Sequence, residues 1–302
     1  METTSPSDPR RLNPPTPASP TRLAAFLTLI RIPNCILIGL AVLVAETIGL
    51  GGLPSPREAV FGFLTAFLLL AGTMVFNDIQ DVQVDRVNSP GRPIPSGRVS
   101  IRQAYALSIV FSTLALTSSL VLGVLTFLIT LIALVLMAYY NTRGKKTGLL
   151  GNAVVSFNVA LPFIFGGLAV NNLRPLLFIF FLLAFLANTA REVAKGITDV
   201  AGDSSKGIMT IAVTQGPKRA AQLAATFFVA AVLLSFLAPV FDQKVSLFYY
   251  PGVVIADLGF LYSSYQLIHD PAATTVRRVK SQVLVWMLLG LVGFFMGGIP
   301  AL

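Results

Sequence analysis

The sequence predicts an all-α protein that threads a membrane with nine helices. Two observations carry that prediction and a third fixes its orientation. Of 302 residues, 55% are hydrophobic and only 12% are charged, with mean hydropathy +0.78. A soluble domain carries about twice that charged fraction. Apolar runs of about 20 residues, the length needed to cross a bilayer, recur along the chain. The basic residues fall almost entirely on one side of the implied crossings.

Residues 1–21 are rich in Pro, Ser and Thr and are expected to form a disordered tail, leaving 22–302 as one transmembrane domain. The first apolar run, 23–49, contains Pro33, where a kink or break is expected because proline lacks the interior helix donor. Runs at 58–78, 102–120, 122–140 and 150–170 follow, the third and fourth divided at Gly123. Those at 175–198, 220–241, 247–268 and 281–299 complete nine. Short links at Gly123 and at 171–174 imply antiparallel neighbours.

Nine crossings make the loop charges testable. The N-terminus and the links 79–101, 141–149, 199–219 and 269–280 then share a side. With the helix ends, that side holds nineteen of the 22 Lys and Arg, leaving Arg57, Arg174 and Lys244 opposite. Basic loops stay in the cytoplasm, so the charged side, with the N-terminus, is expected to be cytoplasmic. The net charge of +9 therefore reads as loop asymmetry, not as nucleic-acid binding. The single cysteine, Cys35, excludes an intrachain disulfide, and the single histidine, His269, argues against a His-based metal site.

Two polar stretches stand out at the ends of apolar runs. In Asn77-Asp78-Ile79-Gln80-Asp81-Val82-Gln83-Val84-Asp85-Arg86, the residues Asn77, Asp81 and Asp85 recur every four positions and so share one helix face, drifting about 40° per step. Asn188, Glu192, Lys195, Asp199 and Asp203 recur at helical spacing in the same way. Both stretches end on the charged side. Either alone reads as a solvated helix end; two facing acid ladders, with Asn77 and Asn188 deeper, suit Mg²⁺ and a diphosphate. Asp81, Asp85, Asp199 and Asp203 are the expected metal ligands.

Cations surround these acids. Arg31 lies within an apolar run, where a charge is a functional candidate by default. Arg86, Arg92 and Lys145, with Lys146, sit at the mouth within reach of phosphate oxygens. Tyr139 and Tyr140 close the fourth run; belt anchoring is the ordinary role, and Tyr140 is the candidate for a ring facing a carbocation. Glu46 and Asp257 are intramembrane acids expected to serve packing or the interface, and the glycines of 290–298 read as close helix contacts.

The motif Asn77 to Arg86, with Asn88 and Arg92-Pro93-Ile94-Pro95-Ser96-Gly97, resembles the first signature of the UbiA superfamily of intramembrane prenyltransferases. Arg191 to Asp203 resembles the second. Ile30-Arg31-Ile32-Pro33-Asn34-Cys35, Lys145 to Asn152, Phe163 to Val170 and Ala256-Asp257 resemble further family blocks in order. The likeness is strongest to the archaeal, lipid-forming branch.

That resemblance implies a central cavity ringed by nine helices and open to the membrane, with Asn77, Asp81 and Asp85 on one side of the metals and Asp199 and Asp203 on the other. It implies Mg²⁺ as cofactor and a polyprenyl diphosphate donor held by Arg31, Arg86, Arg92, Tyr140, Lys145, Asn188, Glu192 and Lys195. It also implies a lipid-phosphate acceptor, geranylgeranylglyceryl phosphate, whose hydroxyl receives a geranylgeranyl group. The sequence points to membrane lipids and to no protein partner. The alternatives are an aromatic acceptor, as in the quinone and haem O branches, and a cation-binding transporter. One position departs from the family: Gly196 stands where a third acid is usual in the second motif.

Overall fold

The computed structural model describes residues 22–205, 207–242 and 245–298. The expected tail, with Arg10 and Arg11, and also Lys206 and Lys244, lies outside the described residues, which form helices and turns without a strand.

The first apolar run becomes α1 (Arg22–Ile30) and α2 (Ile32–Leu50). The interruption falls at Arg31, which is left-handed at φ 54° and ψ 55°, and not at Pro33. Proline needs no donor partner in the first turn, so Pro33 starts α2 and the break moves two residues earlier. Next come α3 (Pro56–Gln80) and the short α4 (Val82–Asn88). A capping box starts α3, Ser55 and Glu58 each accepting from the other's backbone N–H. Ser100 and Gln103 start α5 (Ile101–Leu122) in the same way. Gly123, at φ 151°, separates α5 from α6 (Val124–Thr142), as expected.

A 3₁₀ turn (Gly144–Thr147) leads into α7 (Leu149–Ala160) and α8 (Pro162–Ala169), which continue one another through helical Leu161. The 31-residue α9 (Pro175–Ser205) carries the second acidic stretch without interruption. The remainder is α10 (Ile211–Gln215), α11 (Pro217–Ser235), α12 (Ala238–Phe241), α13 (Tyr249–His269) and α14 (Ala273–Gly298).

Eight of these stretches among the described residues are long and apolar enough to cross a membrane: α2, α3, α5, α6, α7 with α8, α9, α11 and α14. The eighth expected run, α13, has the length but not the apolarity, since Asp257, Ser263, Ser264 and Gln266 dilute it. Its polar side turns inward, burying Asp257, Ser263 and Ser264.

Neighbours in sequence pack as neighbours in space: α2 on α3, α3 on α5, α5 on α6, α6 on α7, α7 on α9, α9 on α11, α11 on α13 and α13 on α14. α14 then returns to α2 and closes a ring. At the end away from the acids, the Arg174 guanidinium donates to Asp242 at 2.7 and 2.9 Å, to the Ile48 carbonyl ending α2 at 2.7 Å and to the Gly298 carbonyl ending α14 at 3.4 Å. Asn172 bonds Gly49 O at 2.7 Å beside it. Large apolar side chains of α5 and α6 point outward, as a lipid-facing surface requires. The chain is a multi-pass membrane protein.

Candidate active site

The helix ring encloses a cavity of about 1450 Å³ whose wall includes Asn77, Asp81 and Asp85 from one side and Asn188, Glu192, Lys195, Asp199 and Asp203 from the other. The two acid stretches therefore do face one space. They are built differently. The first is not a single helix face, because the helix breaks at Asp81, whose φ −90° and ψ 0° lie outside the helical well. The main chain stays bonded through the bend, Asp81 N to Asn77 O at 3.0 Å and Asp85 N to Asp81 O at 2.9 Å. Asn77 Nδ2 also donates to Asp81 Oδ2 at 3.1 Å, so the ladder survives as a bent edge.

Each acid of that edge holds a cation brought from elsewhere. Lys145, on the turn before α7, donates to both Asp81 oxygens at 2.8 Å. Arg92 donates to Asp85 at 2.6 Å. Burial works against the charge of Arg92, but the bond to Asp85 and the nearness of Asp78 and Asp81 outweigh it, holding the guanidinium more firmly protonated than usual. Asp78 is the residue that the four-residue spacing passes over. It is only 6% exposed, accepts from Arg31 at 2.9 Å and lies 3.7 Å from Arg92 on the same oxygen. An intramembrane arginine needs a counter-charge, and that need was the signal in the sequence. The left-handed turn at Arg31 sets its side chain toward Asp78, a costly conformation for a non-glycine residue.

On α9 the carboxylate of Glu192 accepts from Arg191 at 2.9 Å and from Lys195 at 3.3 Å. Asp199 accepts from the Thr198 hydroxyl at 2.9 Å. Deeper, Asn188 is buried and donates to Ser156 at 3.1 Å. Gly196 lies on the cavity wall, and a Cβ there would meet the Thr210 side chain at ordinary contact, 3.5 Å away. Nothing steric demands glycine at 196.

Some expected members stand elsewhere. Arg86 is exposed and outside the cavity wall, bonded to Gln83 at 3.5 Å, because it lies about 100° round α4 from Asp85, which does line the cavity. Tyr139 faces outward and Tyr140 lines the cavity. Glu46 is fully buried against Gly62, not interfacial. Asp257 is buried too and accepts from Ser235 at 2.7 Å on the far wall.

The donor set suits a hard cation, being all oxygen: Asp81, Asp85, Asp199 and Asp203, with Asn77 beside them. Among the described residues no three of His, Cys, Asp and Glu form a ready metal cage. Mg²⁺ does not require one, since it keeps waters and takes one or two carboxylates together with substrate phosphates. Carboxylates on two sides of a cavity, ringed by Lys145, Arg92, Arg31, Arg191 and Lys195, fit such an ion held with a diphosphate.

Residues 38–292 match the UbiA prenyltransferase family. The digeranylgeranylglyceryl phosphate synthase of Thermococcus kodakarensis is 32% identical over 91% of this chain and 98% of its own length. That of Methanothermobacter thermautotrophicus is 34% identical over 85% and 92%. A solved structure of digeranylgeranylglyceryl phosphate synthase superposes with TM-score 0.78 at 28% identity, covering 92% of this chain and 99% of that one. A UbiA homologue from Archaeoglobus fulgidus, bound to GPP and Mg²⁺, shares the fold with TM-score 0.63 at 18% identity, over 89% and 99%. With two acid stretches around one intramembrane cavity and a family match spanning most of its length, the chain belongs to the UbiA prenyltransferase family.

Proposed function

We propose that this prenyltransferase moves a geranylgeranyl group from its diphosphate to the free hydroxyl of geranylgeranylglyceryl phosphate, with Mg²⁺, at the cytoplasmic face of the cell membrane. One observation carries the reading: a cavity with acids and cations at one end and apolar walls at the other. A diphosphate with an isoprenoid tail has that same division. The surplus of basic groups, Arg31 above all, suits a second substrate that also bears phosphate. The named relatives support the choice of acceptor.

Asp81, Asp85, Asp199 and Asp203 would hold Mg²⁺, which would neutralise the diphosphate charge. Lys145, Arg92 and Lys195 bond the phosphate oxygens as the allylic C–O bond breaks and charge gathers on the leaving group. The acceptor oxygen then forms the new ether bond to that carbon, and its proton passes to a carboxylate or to the departing diphosphate. Tyr140 faces the reacting end with an aromatic ring that favours positive charge. The apolar walls keep water from capturing the carbocation.

Purified protein supplied with Mg²⁺, geranylgeranyl diphosphate and each acceptor in turn tests the reading. The expected product is digeranylgeranylglyceryl phosphate. Product formed only with 4-hydroxybenzoate or a naphthoate overturns the lipid acceptor and leaves prenyl transfer standing.

A further inference from the structure

The helix ring is not sealed along its whole height. α2 and α14 meet at the far end, where a Cβ on Gly298 would overlap Ile48. Nearer the acids, Leu37 of α2 and Leu284, Val285 and Leu288 of α14 line the cavity and are still about half exposed. Side chains that face both the cavity and the surrounding lipid mark a gap, so the cavity opens sideways to the membrane between these two helices.

Two arginines stand over that opening. Arg277 precedes Leu284 by seven residues and Leu288 by eleven, and Arg278 precedes Val285 by seven. Either interval returns a helix to within about 20° of the same face, and seven residues advance it by about 10 Å. Arg277 therefore heads the stripe through Leu284 and Leu288, and Arg278 the stripe through Val285. Both are exposed, and neither forms an ion pair among the described residues. Their level fits as well. Phe294 of α14 stacks on Phe180 of the antiparallel α9 with centroids 3.8 Å apart. Arg277 lies 17 residues from Phe294 and Asp199 lies 19 from Phe180, about 25 and 28 Å along the two helices. An anion on Arg277 sits at about the depth of the acid cluster, but outside the ring.

We propose that Arg277 and Arg278 hold the phosphate of a membrane lipid at the opening, with its apolar chain against Leu284, Val285 and Leu288. The pair is then the first binding site for a lipid-phosphate substrate, which needs only a sideways step to reach Arg31 on the cavity wall. That use of the site rests on the proposed lipid-phosphate acceptor. Exposed charge alone does not make such a site: Lys218 and Arg219 are equally exposed, on α11, which packs between α9 and α13.

The single tryptophan, Trp286, lies on the cavity wall and can report a lipid at the opening. The test places the protein in phosphatidylcholine vesicles with a small fraction of lipid carrying brominated chains, since bromine quenches tryptophan fluorescence on close approach. Brominated phosphatidic acid is expected to quench at about tenfold lower fraction than brominated phosphatidylcholine. Arg277→Gln with Arg278→Gln should abolish that preference, and Lys218→Gln with Arg219→Gln should keep it. The arginine variant should also raise KM for geranylgeranylglyceryl phosphate about tenfold, with kcat and donor KM unchanged. Equal quenching by the two lipids in wild type, or an undiminished preference in the arginine variant, overturns the site. Inorganic phosphate that displaces the lipid at equal concentration overturns the lipid as its ligand. A preference that follows the arginines while acceptor KM stays constant overturns the role in substrate supply. No product from that acceptor, with quenching still dependent on the arginines, overturns the acceptor reading and leaves the site standing.

Discussion

Asp78 shows what residue spacing can and cannot reveal. Asn77, Asp81 and Asp85 were legible because four-residue spacing is a helix rule, and all three line the cavity. Asp78 breaks that rhythm, so its role rests on two arginines, 47 and 14 positions away, that share its carboxylate. Asp78→Asn removes the charge that holds Arg31 and Arg92 together. Transfer efficiency, kcat/KM for the donor, is expected to fall about 100-fold as the guanidiniums lose position. Asp78→Glu should recover part of it; equal efficiency in Asp78→Asn and wild type counts against the assignment. Gly196 gives the opposite experiment. Since a side chain fits beside Thr210, Gly196→Asp should fold normally and lower the Mg²⁺ concentration needed for half-maximal donor binding. A titration that is unchanged would mean that position 196 does not face the metal.

At the scale of elements, the apolar runs located the membrane helices because bilayer thickness imposes their length. The breaks were less legible. Proline marks a neighbourhood and not a residue: Pro33 fits the first turn of α2, and Arg31 takes the strain. Nothing in the spacing announces the bend at Asp81, whose helix hydrogen bonds are kept on both sides. The turn before α7 meets the chain before α10 with comparable precision. Gly148, at φ +60°, lies so close to the Met209 carbonyl that a Cβ there would overlap its oxygen. Gly148→Ala is therefore expected to cost about 1–3 kcal/mol and to loosen Lys145 from Asp81. Faster proteolysis between 144 and 210, with a lower melting temperature, would register it.

For the whole molecule, closure depends on contacts that no local pattern shows. Arg174 joins α2, α14 and Asp242 across separations of 126, 124 and 68 residues. The Arg174–Asp242 pair is largely buried, at 12% and 9% side-chain exposure, and breaking such a pair costs about 3–5 kcal/mol. Arg174→Ala should lower the melting temperature in detergent while leaving donor KM unchanged in the protein that stays folded. A changed KM with unchanged melting would place Arg174 in the site and not in the frame. The polar character of α13 carries a further consequence, for how the chain is made. An aspartate near the middle of a helix disfavours spontaneous entry into lipid by about 3 kcal/mol, so α13 depends on a partner. α11 supplies one, since its Ser235 hydroxyl donates to Asp257 at 2.7 Å, and α14 supports the other side, where a Cβ on Gly252 would overlap the backbone of Gly293. α13 is therefore expected to settle in the bilayer only once both neighbours are in place. A Tyr262→Cys side chain should react with a membrane-impermeant thiol reagent in chains stopped after Asp270 and be shielded from it once α14 is present.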